Sequence, residues 1–427
     1  MESHAAGRAW RSVLPADLAA SAIAMSMEVG ERLCAIESAV PPHNAGRAVL
    51  FGQLDRSLPE QDWARRSHTR LTAAARTVEQ TERGVLGLFG GLCEVAFAAH
   101  ALSRDGTRYQ RLLSGLDGAI ATSAGELGRT VARAPAGLPF AAFDAISGLA
   151  GIGAYLLCRR DEPRTEAALR ETLTGLVGLC GESEGLPNWH TPFSVMIPNT
   201  PISRSYPDGV LNCGLAHGVP GPLAVLALAE MSGISVPGQQ AAIERSAHWL
   251  ATHRSDDEWG PNWPTGIPMP DATGATPRAY GPTHNAWCYG SPGVARALWL
   301  AGTALADPKL GALAVDSMTA VFRRPADVRR IDASPGLCHG VAGLLQITLR
   351  FAHDTGEAVF AAAAATLTGR LLAMFQPHRR FGYPALTENG TATDDPGLLD
   401  GAAGVALALL AAATDAPPEW DRTLLLA

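Results

Sequence analysis

The chain has 427 residues, 47% of them hydrophobic, seven scattered cysteines and a formal net charge of −7 at pH 7. Its length exceeds a single ordinary core of ~250–300 residues, so two domains or one large closed architecture is expected. The acidic balance without a dense basic run excludes a nucleic-acid surface, the odd cysteine count excludes a secreted disulfide framework and points to the cytoplasm, and no apolar run reaches the ~18 residues of a membrane span.

Residues 1–60 are expected to form a helical lead-in with a turn at Pro41-Pro42 and no copy of the pattern that follows. Its apolar run, 18–25, is preceded by Asp17 and followed by Glu28, which marks an ordinary helix rather than a signal peptide. From there a repeat sets in. Amphipathic segments at 62–82, 117–132, 164–179, 240–253, 310–322 and 357–375 carry apolar residues at helical spacing with Arg or Glu opposite. A Gly-x-x-Gly opening a nearly all-apolar segment follows each one, at Gly87/Gly90, Gly148/Gly151, Gly218/Gly221, Gly290/Gly293, Gly340/Gly343 and Gly401/Gly404. Strand signals are sparse. An outer layer of amphipathic helices around an inner layer of apolar ones is an all-α, α/α toroid, a double helical barrel of helix-pair repeats spanning 1–427 as a single domain. The pairs Arg65-Arg66 and Arg323-Arg324 read as solvated helix faces, and Cys34, Cys93, Cys158 and Cys180 as ordinary buried thiols.

Three connections, 181–211, 254–286 and 376–398, are unusually long, and loops of such length in a compact domain are functional or disordered. Trp189, Trp259, Trp263 and Tyr280 mark them as ordered; the rings either tuck the loops down or touch a substrate. All three loops enter apolar helices at the end that bears Cys and His.

Two of those ends are Trp287-Cys288-Tyr289-Gly290-Ser291-Pro292-Gly293 and Leu337-Cys338-His339-Gly340-Val341-Ala342-Gly343. Ser291 followed by Pro292 has the chemistry of an N-cap and first turn, so each Cys is expected just ahead of a helix N-terminus, where thiolate is favoured. Taken alone, the two cysteines read as buried structural thiols. Aligned on their glycines, however, Cys288 and Cys338 share one slot of consecutive repeats, and His217 and His339 share the next. Equivalent slots in stacked repeats face one end, so Cys288, Cys338 and His339 make three ligands of the kind zinc prefers.

The blocks at 206–222, 286–293, 337–340 and 399–404 together resemble the LanC lanthipeptide cyclases. The resemblance covers most of the chain, from the first repeat to the last, and Gly-Val-Pro-Gly-Pro-Leu at 218–223 is similar to the stand-alone, class I type. It implies an α/α toroid with zinc at one end, held by Cys288, Cys338 and His339. It implies a cyclase that adds peptide cysteine thiolates to dehydroalanine or dehydrobutyrine, forming lanthionine or methyllanthionine thioether rings in a lantibiotic-type precursor. The implied partners are a dehydrated ribosomal precursor peptide and, in a biosynthetic complex, a dehydratase and a transporter.

Several residues then have roles to be tested. His217 is the acid–base candidate, since imidazole titrates near working pH; a packed histidine at a helix start is its alternative. Asp144, in the block 143–148, matches the family's aspartate ahead of the second repeat and either orients that imidazole, takes a proton, or caps a helix. Tyr289 either bonds to the intermediate or packs. His284 stands where the family commonly has an arginine, and either replaces it when protonated or is a bystander. Asp400 and Cys213 occupy analogous helix starts with no assigned task. Two rival functions remain open: an enzyme adding glutathione or another thiol to dehydroamino acids, and a non-catalytic zinc-containing peptide-binding scaffold. A zinc-dependent prenyltransferase shares the toroid and the thiol activation but not these blocks.

Overall fold

The computed structural model describes residues 9–35, 43–79, 85–104, 106–134, 137–270, 284–331, 333–387 and 390–427. The expected turn at Pro41-Pro42, the end of the first amphipathic segment at 80–82, and Tyr280 lie outside the described residues. Regular structure is almost entirely helical: α1 (Ala16–Cys34), α2 (Asn44–Ser57), α3 (Trp63–Glu79), α4 (Leu92–Ala101), α5 (Gln110–Arg133), α6 (Leu149–Cys158), α7 (Pro163–Leu179), α8 (Pro201–Ser205), α9 (Pro220–Met231), α10 (Gln239–Thr252), α11 (Ser291–Ala304), α12 (Pro308–Arg323), α13 (Ala326–Arg329), α14 (Val341–Thr355), α15 (Ala358–Ala373) and α16 (Ala402–Ala413). Among the described residues the strands are short and form three two-stranded antiparallel pairs. Among the described residues no helix is long and apolar enough to cross a membrane.

The alternation expected from the sequence is present. The helices α5, α7, α10, α12 and α15 bury one stripe each, whereas α6, α9, α11, α14 and α16 are buried nearly all round. The lead-in differs from expectation. Amphipathic α1 buries Ala22, Ser26, Val29, Gly30 and Leu33 on one stripe, and α2 is buried from Asn44 through Leu54. These two helices form a further exposed-then-buried pair, so among the described residues the chain has seven such pairs rather than six. Its polar composition hid α2. Arg47 is fully buried with its Nη2 donating to Asn44 Oδ1 at 2.5 Å, and desolvation first of all pushes its pKa down to about 10.

The helices belong to two compact units. In the unit formed by 1–83, 98–109 and 324–421, α1 packs on α15 and α16, α2 on α3 and α16, and α14 on α15 and α16. Ser26 Oγ donates to the Ala406 carbonyl at 3.1 Å, and buried Asp421 receives Gln346 Nε2 at 2.7 Å and Arg350 Nε at 2.6 Å. Arg324 is buried too, contrary to the solvated face expected of it. Cys34 is half-buried, as is Cys158 in the other unit, where buried thiols were expected.

In the unit formed by 84–97, 110–323 and 422–427, α5 packs on α7, α6 on α7 and α9, α9 on α10 and α11, and α11 on α12. Two of its long loops are stitched together. Val210–Asn212 pairs antiparallel with Gly266–Pro268, Leu211 facing Ile267. Two of the loop aromatics tuck these segments down: Trp263 is buried with its Nε1 donating to the Leu250 carbonyl at 2.8 Å, and Trp189 meets Trp249 edge-on at 4.7 Å.

Candidate functional site

Most of the Gly-x-x-Gly turns fold back on themselves until no side chain fits; in the first, a Cβ on Gly90 would meet nothing within 4 Å and the crowded glycine is Gly91, 2.4 Å from the Val85 carbonyl oxygen. A Cβ on Gly343 would lie 1.9 Å from the Leu337 carbonyl oxygen, and one on Gly404 would lie 1.9 Å from that of Leu398. Gly290 has φ +91°, and its Cβ would come within 1.8 Å of the His284 carbonyl oxygen. That close return makes Gly290, not Ser291, the N-cap of α11. Ser291 is the first helical residue, and its hydroxyl donates to Asn262 Oδ1 at 2.7 Å.

Neighbouring turns are joined through one position, two residues before the first glycine. The Ile146 carbonyl accepts the N–H groups of Leu88 and Phe89 at 2.9 and 3.2 Å, the Ala216 carbonyl accepts Ala145 N–H at 2.9 Å, and the Cys288 carbonyl accepts Ala216 N–H at 3.3 Å. In the other unit the Leu399 carbonyl accepts the N–H groups of Leu337 and Cys338, both at 2.9 Å. Cys288 and Cys338 therefore sit at backbone positions pinned by their neighbours.

Cys288 is buried in one unit, and Cys338 and His339 are half-buried in the other. Two thiols and an imidazole are a donor set that can hold a metal ion. His339 Nδ1 stands 3.5 Å from Asp400 Oδ1. Burial pushes the Asp400 carboxyl upward, an effect opposed by the His339 imidazole. Cys213, buried between a strand and a turn, is a different kind of thiol: desolvation pushes it up to about 12.

His217 and Asp144 meet. His217 Nδ1 lies 2.7 Å from Asp144 Oδ2, with the imidazole 37% exposed and the carboxylate 4% exposed. Asp144 Oδ1 meanwhile accepts the N–H groups of Ile146, Ser147 and Gly148 at 3.1, 2.7 and 2.9 Å. One carboxylate thus closes its own turn and contacts the imidazole. The ring of His217 faces those of Phe140 and Tyr289 at 6.2 and 6.4 Å. Asn212 Nδ2 donates to the Tyr289 hydroxyl at 3.2 Å, while Asn212 Oδ1 accepts Gly214 N–H at 2.9 Å. His284 is exposed at the head of its turn. Asn212 and Phe140 were not singled out by sequence; Asn212 stands inside a block that was, whereas Phe140 gives no signal at all.

A family model for the lanthionine synthetase C-like protein matches residues 44–425. The nisin biosynthesis protein NisC of Lactococcus lactis subsp. lactis is 27% identical over 210 residues, which cover 49% of this chain and 49% of that protein. The match thus spans about half the length of this curated relative. Among solved structures, nisin cyclase superposes with a TM-score of 0.77 at 20% sequence identity, covering 96% of this chain and 98% of that one. The fold is accordingly an α/α toroid, as the repeats implied.

Proposed function

The chain belongs to the lanthionine synthetase C-like family, and on that premise we propose that it is a zinc-dependent lanthionine-forming cyclase. Its substrate is a dehydrated ribosomal precursor peptide, in which a cysteine sulfur bonds to the β-carbon of dehydroalanine or dehydrobutyrine. A dehydratase must act first, because the acceptor alkene arises by loss of water from Ser or Thr; a transporter takes the product onward. We place the protein in the cytoplasm, on its cysteine usage, and read 1–427 as one domain.

The His217–Asp144 pair carries this proposal. A histidine that only packs needs no buried carboxylate fixed by three backbone N–H groups. With Asp144 Oδ2 accepting the Nδ1 proton, Nε2 of His217 is left to exchange a proton with substrate. The turn bearing His217 is bonded to the turn bearing Cys288 through Ala216 N–H. Cys288, Cys338 and His339 would hold the zinc, since two soft sulfurs and an imidazole are donors that it takes. Bound there, zinc supplies the acidity that turns an incoming thiol into thiolate near neutral pH. The thiol proton passes to His217, the sulfur–carbon bond forms as the alkene π pair moves toward the carbonyl, and His217 returns a proton to Cα. Protons balance over the cycle. In this reading the Tyr289 hydroxyl, held by Asn212, bonds with the developing enolate oxygen. His284 carries no step.

Mass spectrometry after thiol alkylation tests this. Incubating the protein with a dehydrated precursor and zinc should abolish alkylation at ring cysteines without changing peptide mass. Alkylation equal to the enzyme-free control would reject the proposal, and a mass gain only when glutathione is supplied would favour the intermolecular thiol-adding reaction instead.

A further inference from the structure

His339 and Asp400 occupy the same slot of consecutive turns, one residue before the first glycine. Their turns are bonded: the Leu399 carbonyl takes the N–H groups of Leu337 and Cys338 at 2.9 Å each. They also approach closely, since a Cβ on Gly336 would lie 3.0 Å from the Asp400 carbonyl oxygen. This docking brings Asp400 Oδ1 to 3.5 Å from His339 Nδ1. That same oxygen is sealed from solvent and has no hydrogen-bond partner. A buried carboxylate oxygen without a donor is destabilising and calls for one. The neighbouring carboxylate is differently engaged, with Asp395 Oδ1 accepting Gly397 N–H at 2.5 Å and facing His43 Nε2 at 3.9 Å. Metal-binding histidines commonly give their second ring N–H to a carboxylate, which fixes tautomer and ring plane.

We propose that Asp400 is the positioning residue of the metal centre: its carboxylate accepts the Nδ1 proton of His339 and holds the ring with Nε2 turned to the metal. The proposal rests on Cys288, Cys338 and His339 binding zinc. A ring nitrogen able to rotate or to change tautomer would present its lone pair only part of the time. Asp400 removes that freedom before the metal arrives. The lone sealed oxygen is accounted for at the same time, because a shift of a few tenths of an ångström closes the contact to hydrogen-bond length.

Metal affinity of the full chain, measured by competition between the protein and a chromophoric chelator for Co²⁺ and Zn²⁺, tests this without any peptide substrate. Asp400→Ala should weaken binding about 10–100-fold. Asp400→Asn keeps an oxygen that can accept Nδ1–H and should stay within roughly threefold of wild type. The Asn variant also guards against a folding defect in the Ala variant, as does the melting temperature of the metal-free proteins. Wild-type affinity in Asp400→Ala, or Asn binding as weakly as Ala, overturns the positioning role alone. No metal uptake by the wild type overturns the zinc centre and this inference together.

Discussion

His217 and Asp144 divide their work by atom. One carboxylate oxygen closes a turn through three N–H groups, and the other faces the imidazole at 2.7 Å. The two jobs can be separated. Asp144→Asn keeps an oxygen for the turn but sets an N–H₂ against Nδ1, forcing the wrong tautomer. It should melt close to wild type yet cyclise more slowly, by about 10²–10⁴-fold. Asp144→Ala also strands the three N–H groups and should lose about 1–3 kcal/mol in denaturant unfolding. His217→Asn should retain metal and lose a similar factor in rate and the correct ring pattern, scored against the uncatalysed reaction. An unchanged rate in that variant would rule out proton transfer by His217. Cys338→Ala should lose nearly all bound zinc by elemental analysis, from about one per chain in wild type.

The helix-start turns show how far the sequence could be read. Gly-x-x-Gly was legible because nothing but glycine fits where a turn returns to within 1.9 Å of a carbonyl oxygen, as at Gly343 and Gly404. The repeat spacing follows from that geometry, and the shared Cys and His slots follow from the spacing. What was not legible has a physical reason too. The helix α2 buries Asn44, Arg47 and Gln53, and a buried helix with polar residues carries no apolar signature, so a seventh pair went uncounted. The Ser291-Pro292 pair has the composition of a cap, but Gly290 at φ +91° takes that place. The Asp144–His217 bond joins residues 73 apart, and only the folded turns bring them together. Gly290→Ala therefore tests the turn. Its backbone strain alone should cost about 1–3 kcal/mol, and the clash with the His284 carbonyl should displace Cys288 and release metal. Gly118→Ala in α5, where a Cβ would meet nothing within 4 Å, is the matched control; it should gain about 0.5–1 kcal/mol in thermal or urea unfolding.

A cyclase that closes several rings in one peptide must hold each segment weakly and let it go, so binding should be spread over surfaces away from the reacting cysteine. In the unit containing His217, the segments 181–211 and 254–270 are joined by the pairing of Val210–Asn212 with Gly266–Pro268 and lead straight to Asn212, which holds Tyr289. Half of their charges are engaged already: Arg254 Nε bonds to Asp256 at 2.9 Å, Asp257 closes a turn at Trp259 and Gly260, and Arg204 donates to the Asn199 carbonyl, while Glu182, Glu184, Asp208 and Glu258 are exposed. Apolar surface is exposed too. Of the six large hydrophobic residues exposed among the described residues, three, Phe193, Val195 and Ile197, fall within five positions of this segment. Contact with a dehydrated peptide, which has exchanged hydroxyls for flat alkenes, should then be mainly apolar. Binding measured by fluorescence anisotropy should change less than about threefold between 50 and 500 mM salt, because screening acts on charges and the contact expected here is apolar. Hydrogen exchange with the peptide bound should slow at 190–212 and 262–270, and shortening the connection 254–286 while keeping Ala286-Trp287-Cys288 should weaken peptide processing but leave the metal in place. A steep loss of binding with salt, or protection confined to α5, α7 and α10, would move the peptide to another surface.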